Sequence, residues 1–460
     1  MHAPVLLLEF NELCPDLLDR FIDAGHLPHF QKLRQQSQKH ITSPDGGLED
    51  LEPWIQWVSV HTGLSASQHG LKRLDEGHLC QKDRLWDIVA RQQGHSLIFS
   101  SMNISYKEPA GKDVMLPDPW AEQVNQYPPG EFDDFVDFVV PAIREHTNAT
   151  ARSGPRSTLR FIRFLLTHGL TLATARRLAA QILLEKRTGR YGWRRSFCLD
   201  HILLDTFLWY YRKRRPAFAT LFLNSVAHAQ HVYWRHMDPR PFRKKPDSAA
   251  RAEYADAILL AYRNTDAVLG RIMGAIGDSR LVLCSALSQQ PCLDYESSAG
   301  KRFYRPADIN RLVDLLPAGI RTEWLSPVMS EEFRIKTASA ADATRLKDNL
   351  ARLRVNGQPL FKLRLEEEAV FAGCAVYTEL PANARITGGG EGISFYDYFY
   401  LADETKSGKH HPDGVFWVRA PEADAAAGSR RVPLLDVAPT ILTLLGAGVP
   451  THLPGRPVVS

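Results

Sequence analysis

The residues that could do chemistry fall into four short stretches of this 460-residue chain. Asn11-Glu12 follow the apolar run 5–10. An amide oxygen can bind a hard cation without bringing charge, and Glu12 could supply the charge if it turns inward. The plainer reading is a helix cap ahead of Pro15-Asp16. Glu52 sits between Asp50 and Trp54. It could act as nucleophile, general base or metal ligand, or be a solvated capping carboxylate. Trp54 and Trp57 flank it as platforms for a sugar or base, or as core. Asn224, His228 and His231 follow the apolar run 217–223, and the two imidazoles would share a helical face. His410 and His411 are adjacent near the end of the chain. The glycines of 388–392 could let backbone amides approach an anion, or simply turn a hairpin.

These groups need elements to hold them. Short apolar runs at 5–10, 96–99, 217–223, 280–284 and 414–418 read as buried strands. Helical patterns at 16–25, 84–93 and 249–276 separate some of them. Strands alternating with helices predict a parallel sheet covered on both faces, with ligands at the carboxyl ends of its strands.

Several phrases have a family look. Lys409-His-His-Pro-Asp-Gly-Val-Phe416 and Asp436-Val-Ala-Pro-Thr440 resemble the closing signature of the alkaline phosphatase superfamily, in particular its phosphodiesterase and nucleotide pyrophosphatase branch. Trp57-x-Ser59-x-x-Thr62-Gly63 with His69-Gly70 resembles that family's nucleophile region. Asn224-x-x-x-His228 resembles its strand-end Asp-x-x-x-His. The matching regions, 5–12, 51–70, 221–234 and 405–457, span nearly the whole chain. The resemblance implies an alkaline-phosphatase-like three-layer α/β sandwich with a mostly parallel sheet. It implies one domain over 1–460, interrupted by a basic helical insertion at 140–216 and a small cap or subdomain at 295–375.

The family holds two metals; this chain departs from that pattern. Asn11 and Asn224 stand where the family has aspartates. No hydroxyl lies near residue 53, where its nucleophile would fall. Ala286 and Leu287 replace an Asp-His ligand pair, and neither can bind a cation. The resemblance leaves Asn224, His228 and His410 to hold one zinc or manganese, with a second metal not expected. An alternative register of the middle motif puts the ligand at His231 and leaves Ala227 opposite the lost aspartate. In the preferred register His231 and His411 would touch substrate, while Glu52, Asn11 and Glu12 would serve catalysis.

The bulk numbers limit the partners. A net charge of +4 implies no global nucleic-acid binding. Yet residues 152–215 carry fifteen Lys and Arg against three acids. Such a patch draws in anionic substrates and suits peripheral contact with an anionic membrane surface. Arg212-Lys-Arg-Arg215 is too short to argue for a specific nucleic acid. The opening apolar run is too short for a signal peptide, no run approaches a membrane span, and six scattered cysteines suggest reduced thiols. A cytoplasmic protein is the expectation. Three functions remain open: a hydrolase or transferase on a phosphate- or sulfate-bearing anionic small molecule or glycan using at most one metal; a metal-independent glycan enzyme using Glu52 with Glu12; and a non-catalytic binder of anions or glycans.

Overall fold

The computed structural model describes residues 3–459 apart from 45, 48–49, 75, 93, 110, 122–125, 145–153, 278, 295, 297–300, 316–318, 328–331, 389–391 and 403–405. Most of the glycine-rich stretch proposed as an anion site lies outside the described residues.

The core is an eight-stranded sheet. Six of its strands are β1 (Val5–Phe10), β2 (Gln38–Ser43), β3 (Ser96–Phe99), β4 (Val114–Leu116), β5 (Phe218–Leu223) and β6 (Arg280–Ser285). Its order is Arg430–Pro433, β2, Gly414–Arg419, β6, β1, β5, β3, β4. Strand Gly414–Arg419 runs antiparallel to both neighbours; the other pairings are parallel. β1, β5 and β6 are buried along their whole length, as strands covered on both faces must be.

The two-residue period of a strand divides the core. Leu6, Leu8, Phe10, Leu221 and Leu283 face one helical layer, which includes Pro15–Asp23, Arg195–Arg214, Ser225–Met237 and Ala257–Ile276. Val5, Leu7, Phe222, Val282 and Cys284 face the other, with Pro53–Thr62, Leu85–Arg91 and Val437–Leu445. This is the three-layer α/β sandwich that the motifs implied. β2, β4 and Arg430–Pro433 were not anticipated; β2 reads Gln-Lys-His-Ile-Thr-Ser, which carries no apolar run. The helix expected at 249–276 is broken into Ser248–Tyr254 and Ala257–Ile276. All six cysteines are buried, and none forms a disulfide. Among the described residues, no helix is long and apolar enough to cross a membrane.

The basic segment contains helices Pro155–Thr167, Leu172–Thr188 and Arg195–Arg214. The last is a core element, not an appendage: it packs on β3 and β5, and buried Asp200 accepts hydrogen bonds from Ser225 and Asn264. A smaller unit has its own apolar cluster running from Tyr304 to Phe399, wider than the 295–375 span because Phe399–Leu401 pairs with Tyr304–Pro306. Of its two four-stranded sheets, the one built from Thr322–Pro327, Glu332–Thr337, Phe361–Glu366 and Ala369–Cys374 carries helix Ala340–Leu350. Glu366 ties it to Arg73 at 3.1 Å.

One polar pair sits inside the main core. Glu9 of β1 lies 3.0 Å from His61 Nε2, and neither side chain meets solvent. Thr220 also donates to Glu9. His61 is packed between Trp57 and Trp86. Removing one partner of such a pair leaves the other polar group buried without it. His61→Ala should cost about 3 to 5 kcal/mol of stability. Urea unfolding should show a lower midpoint with an unchanged slope.

Candidate functional site

Three strand ends and one late hairpin build the site. β1 ends at Phe10, and Asn11 continues its ladder by donating its backbone N–H to Leu223 O at 3.0 Å. The chain then turns through Glu12 at φ 59°. That left-handed conformation is rare for a residue with a side chain and recurs where function constrains the backbone. Here it accompanies a buried carboxylate.

β5 ends at Leu223, and Asn224 caps the helix Ser225–Met237 that carries His228 and His231. β6 runs through Ser285 into hairpin strand Ser288–Pro291, which pairs antiparallel with Gly408–His411. That register sets His410 opposite Gln289. Gly408 packs against Gln289 and the Gln230 carbonyl, and any side chain there would run into both.

Glu12 is the centre. One carboxylate oxygen lies 3.2 Å from His231 Nε2 and the other 3.7 Å from His410 Nε2. Gln289 donates to the first oxygen, and Asn11 Nδ2 donates to the second at 3.1 Å. Asn11 Nδ2 also donates to Asn224 Oδ1 at 2.8 Å, while Asn11 Oδ1 accepts from Trp57 Nε1 at 2.9 Å. Glu12, His231 and His410 each offer a ligand atom within 4.8 Å of the others.

The imidazoles are aimed from behind. His231 Nδ1 donates to Gly408 O at 3.1 Å, and His410 Nδ1 donates to Leu51 O at 2.9 Å. A carbonyl only accepts, so both Nδ1 atoms carry the proton. Both Nε2 atoms are turned toward the Glu12 carboxylate, and outer hydrogen bonds of this kind orient metal-binding histidines.

The electrostatics agree. Burial alone would raise the Glu12 pKa, but His231 and His410 beside it and the Gln289 donor outweigh that and hold it at about 2. Burial pushes His410 down to about 4, against the pull of Glu12. At neutral pH the carboxylate is ionised and the His410 imidazole is neutral. Glu52, at the start of helix Pro53–Thr62, lies 3.4 Å from His410 Nδ1. Its side chain is 36% exposed, yet its crowded surroundings push it up to about 7, with Glu12 adding to the rise.

The expected residues are distributed as follows. His410 belongs to the cluster. His231, first expected at substrate, is the second imidazole in it; His228 does not belong to that group. Three positions on a helix turn a side chain by about 60° relative to its neighbour, and the alternative register of this motif is the one that meets His410. Asn224 stands one step back, bonded to Asn11 rather than aimed at the imidazoles. Glu12, expected in catalysis, is a carboxylate held ionised, which makes it a poor proton donor. Trp57 is fully buried against His61 and Phe222, so its faces are not available to a sugar. Trp54 is half-buried and donates to Lys72 O. His411 is half-buried and accepts from the Asp413 amide. Ser59 bonds His69 and Thr62 bonds Val58 O, both as buried structure. Ala286 and Leu287 are fully buried. Gln289 and Gln230 were missed; Gln230 Nε2 holds the Glu12 carbonyl at 2.7 Å. No spacing rule points to a glutamine, so only the fold could have found them.

No protein-family model matches the chain, and no curated protein matches it. Among solved structures it aligns with phosphonoacetate hydrolase from Sinorhizobium meliloti in complex with phosphonoacetate, at 12% identity over 97% of this chain and 96% of that one, with a TM-score of 0.43. It aligns with murine ectonucleotide pyrophosphatase/phosphodiesterase 5 at 11% identity over 98% and 96%, with a TM-score of 0.43. The human ectonucleotide pyrophosphatase/phosphodiesterase 5 gives 10% identity over 98% and 97%, with a TM-score of 0.42.

Proposed function

We propose that this protein hydrolyses phosphate or sulfate esters of anionic substrates with one divalent cation, zinc or manganese, held by Glu12, His231 and His410. The observation that carries the reading is the convergence of two backbone-anchored Nε2 atoms on a buried carboxylate. With the imidazoles deprotonated at Nε2, as ligand binding requires, the three groups offer one anionic and two neutral donors to a cation. Two imidazoles and one carboxylate with open positions suit zinc, manganese or ferrous iron. With fully buried Ala286 and Leu287 where a second set of ligands would stand, one ion is the expected complement.

Such an ion, when bound, lowers the pKa of its water and offsets charge on the ester. The chain's own residues do the rest. Glu12 and His410 wait in their ligating protonation states. Glu52 takes the proton from the attacking water, since a base near neutrality is the most effective one. Lys406, whose charge reaches Glu52, favours an anion at the mouth. The metal-free glycan scheme has less support, because Glu12 is no proton donor at about 2 and Trp57 is buried.

Metal analysis of the purified full chain tests this. One equivalent of zinc or manganese should be retained. Chelation should stop hydrolysis of bis(4-nitrophenyl) phosphate or 4-nitrophenyl sulfate, and adding the ion back should restore it. Hydrolysis that survives complete removal of metal would return Glu52 to a metal-free role.

A further inference from the structure

We infer that helices Pro155–Thr167 and Leu172–Thr188 dock the protein on an anionic phospholipid surface. Nine large hydrophobic side chains are exposed among the described residues, and six lie on these two helices. Leu159 is 69% exposed, Leu166 68% and Leu172 65%, with Ile162, Ile182 and Leu183 close behind. A lone exposed leucine is ordinary, but this concentration is not.

The pattern is organised. Pro155–Thr167 has two apolar stripes. Phe161, Phe164 and Leu165 are buried in the core. Leu159, Ile162 and Leu166 form a second, outward stripe at i, i+3 and i+7. Exposed Arg156 and Arg163 lie beside it. Helix Leu172–Thr188 has Thr174 as its one buried residue, so its inner anchorage is slight. Leu172 and Leu183, eleven residues apart, share one outward side with Arg176 and Arg187.

Charge selects the occupant. Residues 155–195 carry ten Lys and Arg and a single acid, Glu185. A second copy set against this face would bring like charges together. A nucleic acid would match the charge but leave the leucines in water. An anionic bilayer accepts both: leucines enter the acyl boundary while arginines remain with the headgroups. This docking stands independently of the metal site.

Vesicle co-sedimentation of the full chain tests it. The protein should sediment with vesicles of phosphatidylcholine mixed with phosphatidylglycerol, not with phosphatidylcholine alone. Binding should weaken as salt rises. Leu159→Gln with Leu166→Gln and Leu183→Gln should reduce partitioning by at least about tenfold. Arg156→Gln with Arg163→Gln, Arg176→Gln and Arg187→Gln should reduce it by about a hundredfold or more. These positions are exposed, so far-ultraviolet circular dichroism should be unchanged. Equal binding to both kinds of vesicle, no binding to either, or variants that bind like the parent would overturn the proposal. So would a concentration-dependent dimer that the leucine variant abolishes, since a second copy would then cover the face.

Discussion

Glu12→Gln should leave the chain folded and abolish binding of the proposed cation. The amide keeps the size of the side chain but turns a ligating charge into a neutral group. It also presents an N–H₂ to donors on Gln289 and Asn11, which now serve the carboxylate. Metal affinity should fall by about a hundredfold or more, since even partners outside the coordination sphere account for ten- to a hundredfold. Titration calorimetry with zinc or manganese measures this directly. A second readout is thermal: a ligand that binds only the folded state raises Tm, and that rise should vanish in the variant. The acid side has a definite sign. Glu12 is depressed from 4.5 to about 2, so its contribution to stability is present above its unfolded pKa and lost as pH falls toward 2. The parent should lose that contribution on acidification and Glu12→Gln should not. A variant that binds metal as well as the parent would remove Glu12 from the ligand set.

Glu52→Gln should separate chemistry from binding. Glu52 approaches Nδ1 of His410, the nitrogen turned away from Glu12, so its loss should leave the metal in place. Turnover should fall by roughly a hundred- to ten-thousandfold, the range for a positioned general base. The parent's rate should rise with pH through about 7, where this carboxyl ionises, and the variant's residual rate should lack that step. Stability runs the other way. A raised carboxyl contributes stability below its unfolded pKa, and that contribution is lost as pH rises through about 7. Above that pH the variant should therefore be no less stable than the parent. A pH profile unchanged in Glu52→Gln would assign the ionisation to another group.

The uneven legibility of the chain has physical causes. Strands buried on both faces, such as β1, β5 and β6, announce themselves as apolar runs because nothing else is compatible with two apolar layers. Edge strand β4 has three residues, and β2 has a single apolar residue, Ile41, and pairs through its backbone, so composition barely marks either. Helix Arg195–Arg214 was read as part of a basic insertion because arginines dominate its ends. Its middle is apolar and lies in the core.

From residue types and order alone came the layered architecture and His410 as a member of the side-chain cluster. Tertiary structure alone placed His231 beside His410, drew Glu12 inward and supplied Gln289 from a hairpin far along the chain. The reason is dimensional. Periodicity reports which face of one element is apolar, whereas a coordination sphere depends on the rotation of a helix about its axis, the register of a hairpin and a single left-handed turn. Those are settled only when separate elements pack.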